Sequence, residues 1–467
     1  MRRLLTTCAI LAVARLTFAG SADYDGSLAD FRALLAKLVA ADTTNPPGNE
    51  ARAVDILAAR LDEEKIPYEV TEFAPGRKNL IARLSGDGSE RPLLLLAHLD
   101  VVGADGQPWT SPPHEVTARD GFLVGRGVND DLGMALIELE TIVMLQRSRT
   151  PLRRDVILAL TGDEESGGAG VRWLLANRPQ SLQADFAFNE GGGVRLGDDG
   201  QASFVGLQVG EKTYQDFRIT AKGTTGHSSI PHPDNAIYRL ARGLERLGAH
   251  HFPARMLPVT RAYFRARAAV EPPPLAAALR TAAASKGSIP PAALGAIEKH
   301  PVLGAALRTT CVATLVAGGT RANALPAGAQ ATTNCRILPD EGIDDVQRTL
   351  TGVLGDPGLA VERLEPFGSG PSSDVEGPAP AAVRKIAAET WPAAPVIPIL
   401  ALGTTDSRFL RAQGIPAYGL NPIALTEADG RRAHGVDERI PIASLRPALE
   451  FFHRLVLELA GAPGGLR

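Results

Sequence analysis

The sequence predicts an α/β fold: a parallel-rich sheet covered by helices on both faces, with an inserted α+β domain. Three observations carry this. Short apolar runs of the fully buried kind, "LLLLA" before His98, "DVILAL" before Asp163-Glu164-Glu165 and "DFAFN" before Glu190, alternate with helical segments. Strand, helix, strand at that spacing implies right-handed crossovers and parallel pairing. Near Glu211 the texture changes to half-exposed alternation, and buried-strand texture returns only at "PVIPILALG" and "IPAYGLNPI".

The elements follow in order. From Leu28 to Lys65 the apolar spacing is helical, broken by the turn "DTTNPPGNE". "NLIARL" reads as a strand, and the helices between the buried runs are "LGMALIELETIVMLQRS" and "AGVRWLLANR". Beyond Glu211, "TYQDFRITAKG" alternates as a half-exposed strand and "PDNAIYRLARGLERL" is an amphipathic helix. "RANALPAGAQATTNCRILP" alternates again. Between them, residues from about 250 to 300 are rich in Ala and Pro, with short helical patches and no site-like residues. The expected boundaries are a main domain over 23–210 and 365–467, and an inserted domain over 211–364.

Composition bounds the function. The 467 residues are 44% hydrophobic and 22% charged, the balance of a globular chain with a large core. A net charge of -3 without a basic block excludes a nucleic-acid partner. No apolar run after the N-terminal segment is long enough to span a membrane. The N-terminus, "MRRLLTTCAILAVARLTFAGSAD", has Arg2 and Arg3, an apolar stretch and small residues near Ala19 and Ala22. That is the layout of a signal peptide over residues 1–22, and it predicts export to a periplasm or to the outside. Arg15 interrupts the stretch, and an ordinary N-terminal helix is the competing reading. Cys311 and Cys335 could be paired or free, and with no other cysteine near they do not read as a metal site.

In an open α/β sheet, ligands gather at the carboxyl ends of the strands. There the three buried runs deliver His98, the acids 163–165 and Glu190. The loop "GRGVNDDLG" adds Asp130 and Asp131, and "RRAHGVDE" adds His434. Singly, each has an ordinary reading as a capping histidine, a solvated turn or a helix cap. Together they imply a cation, because clustered carboxylates repel. Histidine mixed with carboxylates suits a first-row divalent metal, zinc above all, whereas oxygen ligands alone would suit magnesium or calcium.

The motifs "AHLDVV", "GRGVNDDLG", "TGDEESGG", "NEGGG", "GHSSIPH", "NALP" and "AHGVDE" stand in the order of one family. From about residue 28 to its end the chain resembles the M20 metallopeptidases. That family includes glutamate carboxypeptidase, succinyl-diaminopimelate desuccinylase, aminoacylase-1 and carboxypeptidase S. The resemblance implies a dizinc peptidase fold with an inserted lid that often dimerises, and hence a homodimer through that domain. It implies two Zn2+ per chain, with Co2+ or Mn2+ as substitutes. His98 and Glu190 would hold one metal, Glu165 and His434 the other, with Asp130 bridging them. Asp100 would hold the His98 ring by a hydrogen bond, and Glu164 would be the general base. His227 would stabilise the oxyanion, and Asn323, Arg336 and Gly403 would hold the free carboxylate of the substrate. The implied activity is hydrolysis of an amide bond beside a free carboxylate, in small peptides or N-acyl amino acids. A strict aminoacylase is the narrower alternative. A non-catalytic binding protein is disfavoured because every ligand position and Glu164 are filled, and a di-metal phosphoesterase because Asn323 and Arg336 match carboxylate-binding positions. Two departures stand out. Leu132 replaces a common lysine, and the Ala/Pro-rich segment enlarges the lid, which puts the usual dimer in question.

Overall fold

A computed structural model describes residues 22–365 and 368–462. The signal peptide expected over residues 1–22 lies, but for Ala22, outside the described residues. Among the described residues no helix is long and apolar enough to cross a membrane.

The fold is α/β with a parallel-rich centre. In the large sheet, Val156–Thr161, Leu93–His98, Phe186–Asn189 and Ala417–Gly419 run parallel as consecutive neighbours. Antiparallel strands Arg77–Leu84 and Tyr68–Ala74 extend one side, and Ala202–Glu211 and Val396–Ala401 extend the other. Every residue of Leu93–His98 and Val156–Thr161 is buried. Successive side chains point to opposite faces, so Leu93, Leu95 and Ala97 join one core, and Leu94 and Leu96 join another. The first core is closed by helices Tyr24–Ala40, Leu132–Ser148 and Ile442–Ala460, the second by Ala169–Asn177 and Ser407–Ala412. Both faces are therefore dry. The continuous apolar runs follow, at roughly 1.5–3 kcal/mol per buried leucine.

The chain leaves the large sheet at Glu211 and enters a four-stranded sheet at Thr213. That sheet has the order Thr310–Gly318, Gly328–Ile337, Thr213–Lys222, Leu359–Arg363. Helices Ala236–Ala249 and Ile343–Leu354 cover one face of it. Cys311 and Cys335 are cross-strand partners and form a disulfide. The Ala/Pro-rich segment is four helices, Pro258–Arg267, Pro273–Ala284, Pro291–Glu298 and Pro301–Ala305. Each starts at a proline, whose fixed φ and missing N–H suit a first turn. They bury a core of their own around Phe264, Leu279 and Ile297, and the first packs on Val396–Ala401.

His453, in the last helix, is buried and shares a 3.0 Å hydrogen bond between Nδ1 and the Tyr24 hydroxyl. Burial pulls its pKa down to about 4. The unfolded imidazole titrates near 6.5. Its folded pKa is the lower one, so the unfolded state binds more protons between those values. Stability is full above about pH 6.5 and is lost as pH falls towards about 4, by about 3 kcal/mol. His453→Phe should lose correspondingly less stability between pH 7 and pH 4 in denaturant titrations. Equal losses in the two proteins would refute this.

Candidate metal centre

His98 ends its strand with its ring buried. Nδ1 lies 2.9 Å from the backbone carbonyl of Asp100. A carbonyl only accepts, so Nδ1 carries a proton, and Nε2 is the nitrogen that would face a metal. Nε2 faces Asp130 Oδ1 at 3.2 Å and Glu190 Oε1 at 3.9 Å. The other oxygen of Asp130 lies 3.1 Å from His434 Nε2, which is also 3.1 Å from Glu165 Oε2. Asp130 thus presents one oxygen to each of two imidazoles. Asp131, its neighbour, is buried and accepts instead from the His98 backbone N–H at 3.4 Å.

The expected role of Asp100 is corrected. Its carboxylate is 3.7 Å from Nδ1 and does not hold the ring; its main-chain carbonyl does. The carboxylate accepts the backbone N–H groups of Glu164 and Glu165, each at 3.1 Å, and the Asn45 amide at 2.8 Å. The physical reason is demand. The chain turns sharply at Asp163, which has a positive φ of 72°, and leaves two amide donors facing Asp100 without a strand partner. Asp163 is itself held by Arg77 Nη1 at 2.7 Å.

The donor set fits a cation. Two overlapping groups, His98–Asp130–Glu165 and His98–Glu164–Glu190, each place three ligand atoms within 4.8 Å of one another. Glu165 Oε1 is buried and without a hydrogen-bond partner. Burial raises the pKa of Glu164, and of Glu190 where repulsion from Glu164 and Asp130 adds to it. Hydrogen bonds donated by its ring to the Asp130 and Glu165 carboxylates raise His434 to about 10. Burial alone would lower His98, but Asp130, Glu190, Asp131 and Glu164 together hold it well above its ordinary value. Protons are drawn to the nitrogens where a divalent ion would satisfy the same charges. This is a candidate metal-binding cluster of mixed nitrogen and oxygen donors.

The remaining expected residues lie elsewhere. His227 sits on the two-residue strand Gly226–His227, opposite Ala324, exposed, with Nδ1 2.7 Å from Ser229 Oγ. The Asn323 carbonyl accepts from the Ser228 N–H on the same ribbon. Neither touches the cluster in any described contact. Arg336 lies over the Tyr214 ring at 4.5 Å and donates from Nε to Asn334. Gly403 is exposed, and a side chain there would meet nothing, so packing does not demand glycine.

Sequence reasoning missed several residues. Arg408 Nη1 stands 3.8 Å from Glu164 Oε1. It lies in the same "LGTTDSRF" stretch as Gly403, a signal within reach. Lys212 is buried beside Thr310, and burial, then Arg336, pulls its pKa down to about 8.

The model of peptidase family M20/M25/M40 matches residues 94–458. The chain belongs to this family. It is 29% identical over 400 residues to human N-fatty-acyl-amino acid synthase/hydrolase PM20D1, covering 84% of this chain and 78% of that one. It is 25% identical over 440 residues to Aminoacylase-1A of Rattus norvegicus, covering 90% and 93%. Its fold matches the M20 family metallo-carboxypeptidase Sso-CP2 from Sulfolobus solfataricus with a TM-score of 0.70 at 20% identity, covering 94% and 99%. As a member of the M20 family, the chain is a hydrolase of amide or peptide bonds.

Asp100→Asn separates the two arrangements of Asp100. The carbonyl bond to His98 would survive, while an amide NH2 would face a backbone N–H. We expect retained metal binding and an apo protein less stable by about 1–3 kcal/mol in denaturant unfolding. Lost metal with unchanged apo stability would restore the carboxylate–imidazole bond.

Proposed function

We propose that the chain is a dinuclear zinc hydrolase that cleaves an amide bond beside a free carboxylate, in N-acyl amino acids or small peptides. The observation that carries this reading is Asp130, whose two carboxylate oxygens face two different imidazoles at 3.2 and 3.1 Å. His98 and Glu190 would hold one metal and His434 and Glu165 the other, with Asp130 shared. When bound, such metals polarise the scissile carbonyl and lower the pKa of water.

The chain supplies the proton transfers. Glu164 is adjacent to Glu165 but is not part of the contact set around His434. Its carboxylate takes a proton from the attacking water and returns it to the leaving amine nitrogen. Burial raises its pKa, which favours the return of the proton after it has been accepted. His98, and then Arg408 at 3.8 Å from Oε1, limit that rise. Arg336, braced by Tyr214, suits the free carboxylate as a bidentate fork. Both curated relatives above carry acyl–amino acid chemistry in their names, which supports the substrate class.

Zinc-loaded protein tested on dipeptides and N-acyl amino acids, with liberated amine as the readout, should turn over one or both classes. Glu164→Gln should keep its metal content and lose about 10²–10⁴-fold in turnover. Near-wild-type turnover with metals bound would overturn the assignment.

His227 and Asn323 have no described contact with the cluster, and a second copy of the chain offers a reason. Edge strand Thr310–Gly318 exposes Val312, Leu315 and Val316, at 62%, 68% and 72%. An exposed apolar edge is a template for strand pairing. We place a homodimer contact there. Light scattering should give twice the chain mass, falling to one in a Leu315→Lys, Val316→Lys double variant. A monomeric wild type at micromolar concentration would remove the dimer.

A further inference from the structure

The two metal positions are built differently. His98 is a buried strand residue, whereas His434 is on a loop, has a positive φ of 63° and leaves more than half of its side chain exposed. Packing does not set the place of the His434 ring, so its backbone must.

That backbone is tied down by Glu438, four residues on and 1% exposed. Glu438 Oε1 accepts the backbone N–H groups of Asn129 at 2.9 Å and Asp130 at 3.0 Å. Oε2 accepts the Gly127 N–H at 3.1 Å and Arg126 Nη1 at 2.6 Å. The carboxylate thus takes four donors, all from the loop that carries Asp130. Arg126 is equally buried and lies over Trp109 at 5.0 Å. Its Nη2 donates to the Gly435 carbonyl and to Gln107 Oε1, each at 3.1 Å. Gln107 Nε2 donates to the His434 carbonyl at 3.3 Å. One hydrogen-bonded circuit therefore joins the main chain that leads into Asp130 to the main chain that leads out of His434, two ligands brought together from distant sequence.

We infer that Glu438 is a positioning residue that sets the affinity of the second metal position by docking the His434 loop onto the Asp130 loop. This rests on the dinuclear reading above. The first position gains less from the circuit, because His98 and Glu190 lie at the ends of buried strands. Groups behind the ligands commonly change metal affinity by 10–100-fold. Glu438→Gln keeps the shape, but its NH2 must face either Gly127 N–H and Arg126 or the other two amides, donor against donor. Gln107→Leu cuts the link to the His434 carbonyl without removing either member of the buried ion pair.

The test is competition titration of apo protein with Zn2+ against a chromogenic chelator, with circular dichroism as the check of folding. Wild type should show two binding steps, and the step lost in His434→Ala identifies the second position. Glu438→Gln should weaken that step by about 10–100-fold and leave the other within about twofold. Gln107→Leu should weaken the same step by a smaller factor. A folded Glu438→Gln with both steps intact, or with both weakened equally, would overturn the inference. Should Glu438→Gln fail to fold, an unchanged second step in Gln107→Leu would do so. Fewer than two steps in wild type would instead overturn the dinuclear reading itself.

Discussion

Like-charge repulsion at the carboxyl ends of a parallel sheet is the constraint on which this structure depends. Asp130, Asp131, Glu164, Glu165 and Glu190 crowd around two imidazoles. Left alone, buried carboxylates take up protons or move apart. Here strand ends and short loops fix their backbones, so they cannot move apart, and the raised pKa values of Glu164 and Glu190 record their burial and the repulsion that remains. The geometry is therefore preorganised for positive charge, the condition under which a metal site binds without rearranging its ligands.

The frame that enforces this is made of other carboxylates turned away from the centre. Asp100 accepts the amides of Glu164 and Glu165, Glu438 accepts those of Asn129 and Asp130, and Asp163 is gripped by Arg77. Each of these three acids is satisfied by main-chain N–H groups, an amide or an arginine, as burial of charge requires. The division of labour is plain: some acids point at the site, and others hold the loops that point them.

On the side facing the inserted domain the charge reverses. Lys212, at the crossing between the sheets, is repelled by Arg336, and Arg336 by Arg408, while Glu341 and Asp216 partly offset these charges. Glu211, next to Lys212 in the chain, is taken by Arg411, Thr405 and Gln208. Positive charge along this edge favours an anionic group there. The helical block from Pro258 to Ala305 has its own core and packs on the outermost strand of the large sheet.

The sequence by itself determined the α/β class and most of the cluster. Burial on both faces writes a continuous apolar run, and the polar residue that ends such a run must stand at the sheet's carboxyl edge. His98, Glu164, Glu165 and Glu190 were legible for that reason, and Asp130 and His434 through the motifs around them. Other features were decided only by tertiary structure. Whether Cys311 and Cys335 pair depended on strand register, which composition does not carry. The partner of the His98 ring depended on which oxygen of Asp100 the turn aims at it. Glu438 and Arg126 read as ordinary charged residues, because their partners are backbone groups and loops about 300 residues away in the chain. A main-chain N–H has no sequence signature, so any residue whose work is to accept one becomes visible only when the chain has folded.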